Sequence, residues 1–234
     1  MGRKPRIAIA AAAGVVALFC AGVSAIALRA AVIALPTGGI MERLRGGAPV
    51  SKGERVAAAR ASYRAGQVFE TGRYWSDAAL AAADLGPRER ERALQGTSLE
   101  ALVDGALKSA PASPQNWVRR AAFQLSAGDV KGARVSLETS LLLGRFMPRL
   151  TVPRLRIMIE LLHRSADPAL EAYIAEQIRI AARTEPLALA RFADHGAAEG
   201  IAQRTLAGDF ALYDAYLRAL ASVRAQKAKE ATAK

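Results

Sequence analysis

Cysteine is almost absent: the single one, Cys20, lies inside an apolar run, so no disulfide can form within the chain. A zinc site built from thiolates is excluded for the same reason, as is a thiol nucleophile in a soluble site. Histidine is nearly as scarce. His163 and His195 are the only two, and neither has a second histidine at metal-ligand spacing. Both are expected at helix ends in structural roles. Aromatic residues make up only 6% of the chain, and β-branched residues are sparse outside the first helix, which argues against sheets. The sequence contains no Gly-x-Ser-x-Gly elbow and no Gly-rich loop ending in Gly-Lys-Ser/Thr. The carboxylates Glu89 and Glu91 sit inside the run Arg88-Glu89-Arg90-Glu91-Arg92, which reads as a solvated, internally ion-paired helix rather than an acid/base pair. These absences point away from an enzyme, and no cofactor or metal is expected.

What is abundant favours helix. Alanine supplies more than a fifth of the 234 residues, and leucine and arginine are also plentiful. The formal net charge is +12, and Arg3, Lys4 and Arg6 contribute three of those charges. The remaining basic residues are dispersed along helices. Such a surface favours anionic partners, lipid headgroups or acidic polysaccharide, while no nucleic acid partner is expected.

The longest uninterrupted feature is an uncharged run from Ile7 to Leu28. As a helix it measures about 33 Å, enough to cross a bilayer core of about 30 Å. The preceding cations hold that end in the cytoplasm, which places the rest of the chain on the far side, the periplasm of a bacterium. Arg29 can snorkel at the far interface. A cleavable signal peptide is the alternative, because Val23-Ser24-Ala25 and Ala25-Ile26-Ala27 both offer small-x-small sites; the protein would then be secreted. A lipoprotein signal fits poorly, with Phe19 before Cys20 and Ala17 where leucine is wanted. Ala13, Ala17, Ala21 and Ala25 share one helix face that would permit close helix contact in the membrane.

Pro36-Thr37-Gly38-Gly39 and Gly46-Gly47-Ala48-Pro49 break the chain after this segment, with room for a short helical turn from Ile40 to Arg45. The expected organisation is an anchor over 1–35, a linker over 36–50, a helical domain over 51–222 and a basic, fraying tail over 223–234. Periodicity predicts helices near 52–70, 74–85, 87–94, 98–109, 114–127, 129–143, 151–164, 168–183, 186–194, 197–206 and 209–230. Ser113-Pro114 and Asp167-Pro168 pair a capping side chain with proline at the first helical position. Leu170, Ile174, Ile178 and Ala181 form one apolar stripe, and Phe210, Tyr213, Leu217 and Leu220 a second. The 151–164 segment carries Leu155, Ile157, Met158, Ile159, Leu161 and Leu162 on more than one face and is expected to be the most buried element.

Trp117, Ala121, Leu125, Gly128-Asp129, Ala133, Leu137 and Ser140 stand at the spacings of a helix–turn–helix unit that resembles the tetratricopeptide repeat. Leu99, Val103 and the segment ending at Pro111 resemble the second half of a preceding unit, and Gly72-Arg73-Tyr74 with Ala78 a looser third. The terminal proline departs from the pattern, because Pro148 arrives late. An irregular helical bundle with one accidental match is the competing reading. Trp117, Gly128-Asp129, Arg145, Pro148 and Gln177-Ile178-Arg179 also resemble small membrane proteins of polysaccharide-export and envelope gene clusters in alphaproteobacteria.

The sequence therefore predicts an all-α chain, an N-terminal transmembrane helix followed by a repeat-like α-solenoid. The resemblance implies a membrane-tethered, periplasm-facing scaffold that docks envelope proteins or subunits of a membrane complex. Trp117, Arg119, Arg120 and Gln124 are the candidate partner-binding residues. The rival function is an accessory factor that binds anionic polysaccharide through its arginines.

Overall fold

The computed structural model describes residues 3–165, 167–194 and 197–232, with the side chains of 3–11 and 197 outside that description. His195 also lies outside the described residues. All regular structure among the described residues is helical. The chain divides into two compact units, Met1–Ala112 and Ser113–Lys234.

The first unit begins with α1 (Arg3–Ala34), which passes through a 3₁₀ turn (Leu35–Thr37) into α2 (Gly38–Arg45). It continues with α3 (Lys52–Val68), α4 (Gly72–Ala82), α5 (Pro87–Leu94) and α6 (Leu99–Ser109). From Ala12 onward α1 stands clear of the body: Val15, Val16, Leu18 and Phe19 are all exposed. It is one helix long and apolar enough to cross a membrane, with mean hydropathy 2.2 over its best window. Its last turns behave differently. Ala30 is fully buried, and α1 packs there against α3.

The 36–50 stretch, expected as a linker, is folded onto the body. Thr37, Met41 and Leu44 are buried, and α2 packs on α3 and α4. Arg45 pairs with Asp77 of α4, and Arg43 with Glu54 of α3. Proline and glycine punctuate here without loosening, because the intervening Met41 and Leu44 give the short helix an apolar side to bury. Ser51 caps α3 in a full capping box with Glu54. Hydrogen bonds from Ser51, with the Arg43 guanidinium beside them, hold the Glu54 carboxyl down to about 2.

In α5 the Arg92 guanidinium acts on Glu89 within the helix, but two of the charges also reach outside it. Glu89 meets Lys52 of α3 at 2.7 Å, and Arg90 donates to the Ala83 and Leu85 carbonyls that follow α4. The run therefore acts as a staple between elements. Sequence spacing could not reveal this, since the partners lie outside α5.

The second unit contains α7 (Pro114–Ser126), α8 (Val130–Leu143), α9 (Pro148–Arg164), α10 (Pro168–Thr184), α11 (Pro186–Ala193), α12 (Ala197–Leu206) and α13 (Phe210–Thr232). Proline opens four of these helices at the position where a missing N–H costs nothing. Asp167 caps α10 through the Ala169 N–H at 2.9 Å, whereas the Ser113 side chain makes no capping bond to α7. The α7–α8 turn uses Gly128 at φ +84°, a left-handed conformation suited to glycine. Helix α9 starts one turn earlier than the periodicity suggests, at Pro148, and is buried on several sides. Leu155 and Met158 are fully enclosed, and Leu170, Ile174, Ile178 and Ala181 of α10 join the same core.

The last helix corrects the expected stripe. Phe210 and Leu217 are exposed, while Tyr216, Ala219, Leu220 and Val223 are buried. Those four also obey helical spacing, and the small Ala219 faces a neighbourhood rich in alanine, including Ala190 and Ala193 of α11. Helix α13 packs against α11, and this face joins the same core as Leu189, Ala190 and Ala193.

The basic tail is helical as far as Thr232. Arg224 donates to Asp194 at 2.9 Å and Glu199 at 2.8 Å, and Lys227 to Asp194 at 2.7 Å. Hydrogen bonds from Lys227 and Arg224 lower the Asp194 carboxyl from 3.8 to about 2. A folded-state value below the unfolded one stabilises above the unfolded value and is lost as pH falls through the folded one. Amide exchange along 220–232 is therefore expected to speed up as pH drops from about 4 to 2, after correction for intrinsic exchange. Asp194→Asn should remove that pH dependence.

Candidate functional site

Helices α3, α4 and α6 of the first unit enclose a surface cleft of about 200 Å³, with Tyr63, Glu70, Trp75, Thr97, Gly105 and Lys108 in its wall. Trp75 forms its aromatic floor. A Cβ placed on Gly66 would lie 3.1 Å from the indole, and one on Gly105 3.5 Å from it, so the ring slots between α3 and α6 where side chains are missing. Tyr63 meets Trp75 edge-on, with centroids 5.8 Å apart at 65°. The Tyr63 hydroxyl shares a 2.8 Å hydrogen bond with Thr97 and accepts one from Gln67 at 3.0 Å. Glu70 and Lys108, both exposed, bring opposite charges to the wall. A cleft of this size takes a single side chain, with aromatic faces for apolar contact and two charges to fix polarity.

Sequence reasoning passed over this site. Trp75 was not among the candidates, and Gly66 and Gly105 are ordinary helical glycines when read singly. The available signal was the two glycines themselves, each inside a helix where propensity disfavours it.

The four residues singled out from the sequence all lie on α7, and the structure brings Trp117 and Arg120 together. The Arg120 guanidinium sits over the Trp117 ring, 5.8 Å from its centroid. Arg119 donates to Asn116 at 3.1 Å. Gln124 accepts from Ser136 of α8 at 2.6 Å and so ties the two helices together. Trp117 is half-buried rather than in the core, whereas the motif positions Ala121, Ala133, Leu137 and Ser140 are buried between the paired helices. His163 is exposed in the last turn of α9.

The second unit also encloses a charge that the sequence did not single out. Arg154 of α9 is fully buried. It donates to the Ser140 carbonyl at 2.6 Å, to the Ser140 hydroxyl at 2.9 and 3.1 Å, and to the Arg145 carbonyl at 3.4 Å. Burial pushes the guanidinium down from 12.5 to about 10, which leaves it charged at neutral pH. Its partners are carbonyls at and beyond the C-terminal end of α8, where the helix dipole favours a cation. That explains how the site holds a charge with no carboxylate among its hydrogen-bond partners.

Among the described residues, no group of three or more His, Cys, Asp or Glu converges in a metal-holding arrangement. Comparison of the chain with protein-family models, curated proteins and solved structures finds no match.

Proposed function

We propose that this protein is a membrane-tethered helical scaffold that docks other proteins of a bacterial envelope assembly. The observation that carries the reading is α1. Its apolar side chains, Val15, Val16, Leu18 and Phe19 among them, are exposed along most of its length, and its last turns then pack into a folded helical body. Arg3, Lys4 and Arg6 ahead of the span orient it with the body on the periplasmic side. The repeat-like pairing of α7 with α8 and the aromatic cleft on the first unit are the surfaces offered for docking.

The polysaccharide-binding alternative draws less support. Arg43, Arg45, Arg55, Arg134, Arg145, Arg164, Arg218 and Arg224 are all engaged with carboxylates of the chain itself. Much of the apparent positive surface is thereby neutralised locally.

Affinity capture from solubilised membranes tests the docking role. Partners recovered with the wild-type chain are expected to be lost with Trp75→Ala, and also with Glu70→Lys/Lys108→Glu, which alters only exposed side chains. An unchanged partner list with both variants contradicts the cleft as the docking site.

A further inference from the structure

Beyond α1, large apolar side chains are seldom exposed, yet four of them fall within six consecutive positions. Leu142 is 87% exposed and Phe146 72%, with Leu143 and Met147 beside them. They occupy the end of α8 and the short corner before α9 begins at Pro148.

The polar groups of this corner are turned toward the body. Arg145 makes two 2.7 Å bonds to Glu176 of α10. Its carbonyl accepts from the buried Arg154 of α9 and the buried Gln177 of α10, both at 3.4 Å. The base is thus pinned to two helices while the crown is apolar, the reverse of an ordinary solvated loop. Patches this concentrated mark contact with a protein or a membrane.

We propose that the α8–α9 corner is a second membrane contact, an interfacial anchor that inserts Leu142, Phe146 and Met147 among anionic phospholipids. Charge selects this occupant. No acidic residue occurs from 139 to 159, and with Arg145 paired to Glu176 and Arg154 buried, the exposed cations of that stretch are Arg149 and Arg156. Arg149 is exposed in the first turn of α9, beside the apolar crown and placed to meet a headgroup phosphate. A cationic flank around protruding apolar side chains is the composition of an interfacial anchor. A protein partner would need a matching pocket, whereas a fluid bilayer closes around a convex corner. The inference rests on α1 as a tether, which makes the second contact intramolecular, so that weak insertion suffices.

The test uses the full chain with Cys20→Ser and Phe146→Cys, labelled at the introduced thiol with an environment-sensitive fluorophore. It is reconstituted into phosphatidylcholine/phosphatidylglycerol vesicles, with Ala122→Cys on exposed α7 as the control position. Emission at 146 is expected to be blue-shifted relative to 122, quenched several-fold more by nitroxide lipids labelled near the headgroup, and less accessible to iodide. Adding Leu142→Asp should reverse these differences. A label at 146 as open to iodide as at 122, in chains that float with the vesicles, overturns the contact alone. Shielding from both iodide and nitroxide lipid overturns it in favour of a protein covering the corner. Failure to float with the vesicles overturns the contact and the tether together.

Discussion

Arg154→Ala is expected to destabilise the second unit by about 3 kcal/mol, read as a lower urea midpoint with unchanged slope. The substitution leaves the Ser140 carbonyl without its guanidinium donor, leaves the Arg145 carbonyl to Gln177 alone, and opens a cavity at a fully buried position. Unmet buried acceptors cost about 1–3 kcal/mol, and the cavity adds to that. Arg154→Met separates the two terms. It keeps most of the volume and removes a charge whose burial is itself unfavourable, so its loss should be clearly smaller than that of alanine. Arg154→Lys should fall between them, because a compact ammonium cannot reproduce the planar fork. An alanine variant within about 1 kcal/mol of wild type would show that these bonds do not hold α8 to α9.

Truncating the chain at two points should give opposite results, although the cuts are close together. Removal of residues 1–26 takes away most of the exposed apolar helix but leaves Ala30, Thr37, Met41 and Leu44, which are buried. That chain is expected to leave the membrane fraction and to melt as the wild-type body does. Removal of residues 1–37 strips the packed end of α1 from α3 and deprives α2 of its lead-in. The first unit should then lose roughly 2 kcal/mol or more, from apolar surface returned to water. Differential scanning calorimetry with matched membrane fractionation checks both. Equal stability of the two truncated chains would mean that α1 ends, in effect, at the membrane.

How far the fold was legible in the sequence depended on the range of the force involved. Helices punctuated by proline, such as α7 and α10, were found nearly to the residue, because the signal is local. The stripe of α10 was also legible, since Leu170, Ile174, Ile178 and Ala181 recur at helical spacing and are all buried. In α13 two apolar faces compete, and the one carrying Tyr216 is buried in a core shared with α11, more than twenty residues away in sequence. The same distance hid Arg154, whose partners come from α8 and the corner beyond it. It also hid the Trp75 cleft, which exists because Gly66 and Gly105 approach the indole from different helices. Of the α7 candidates, Trp117 and Arg120 do form one surface, while Gln124 serves the helix pair itself.

The tether is tested most directly by alkaline carbonate extraction of membranes that contain the full chain, followed by electrophoresis beside a chain lacking residues 1–27. The proposed tether predicts that the protein remains in the pellet and migrates at full length. Release into the supernatant, or a band matching the shortened chain, would contradict a persistent membrane anchor.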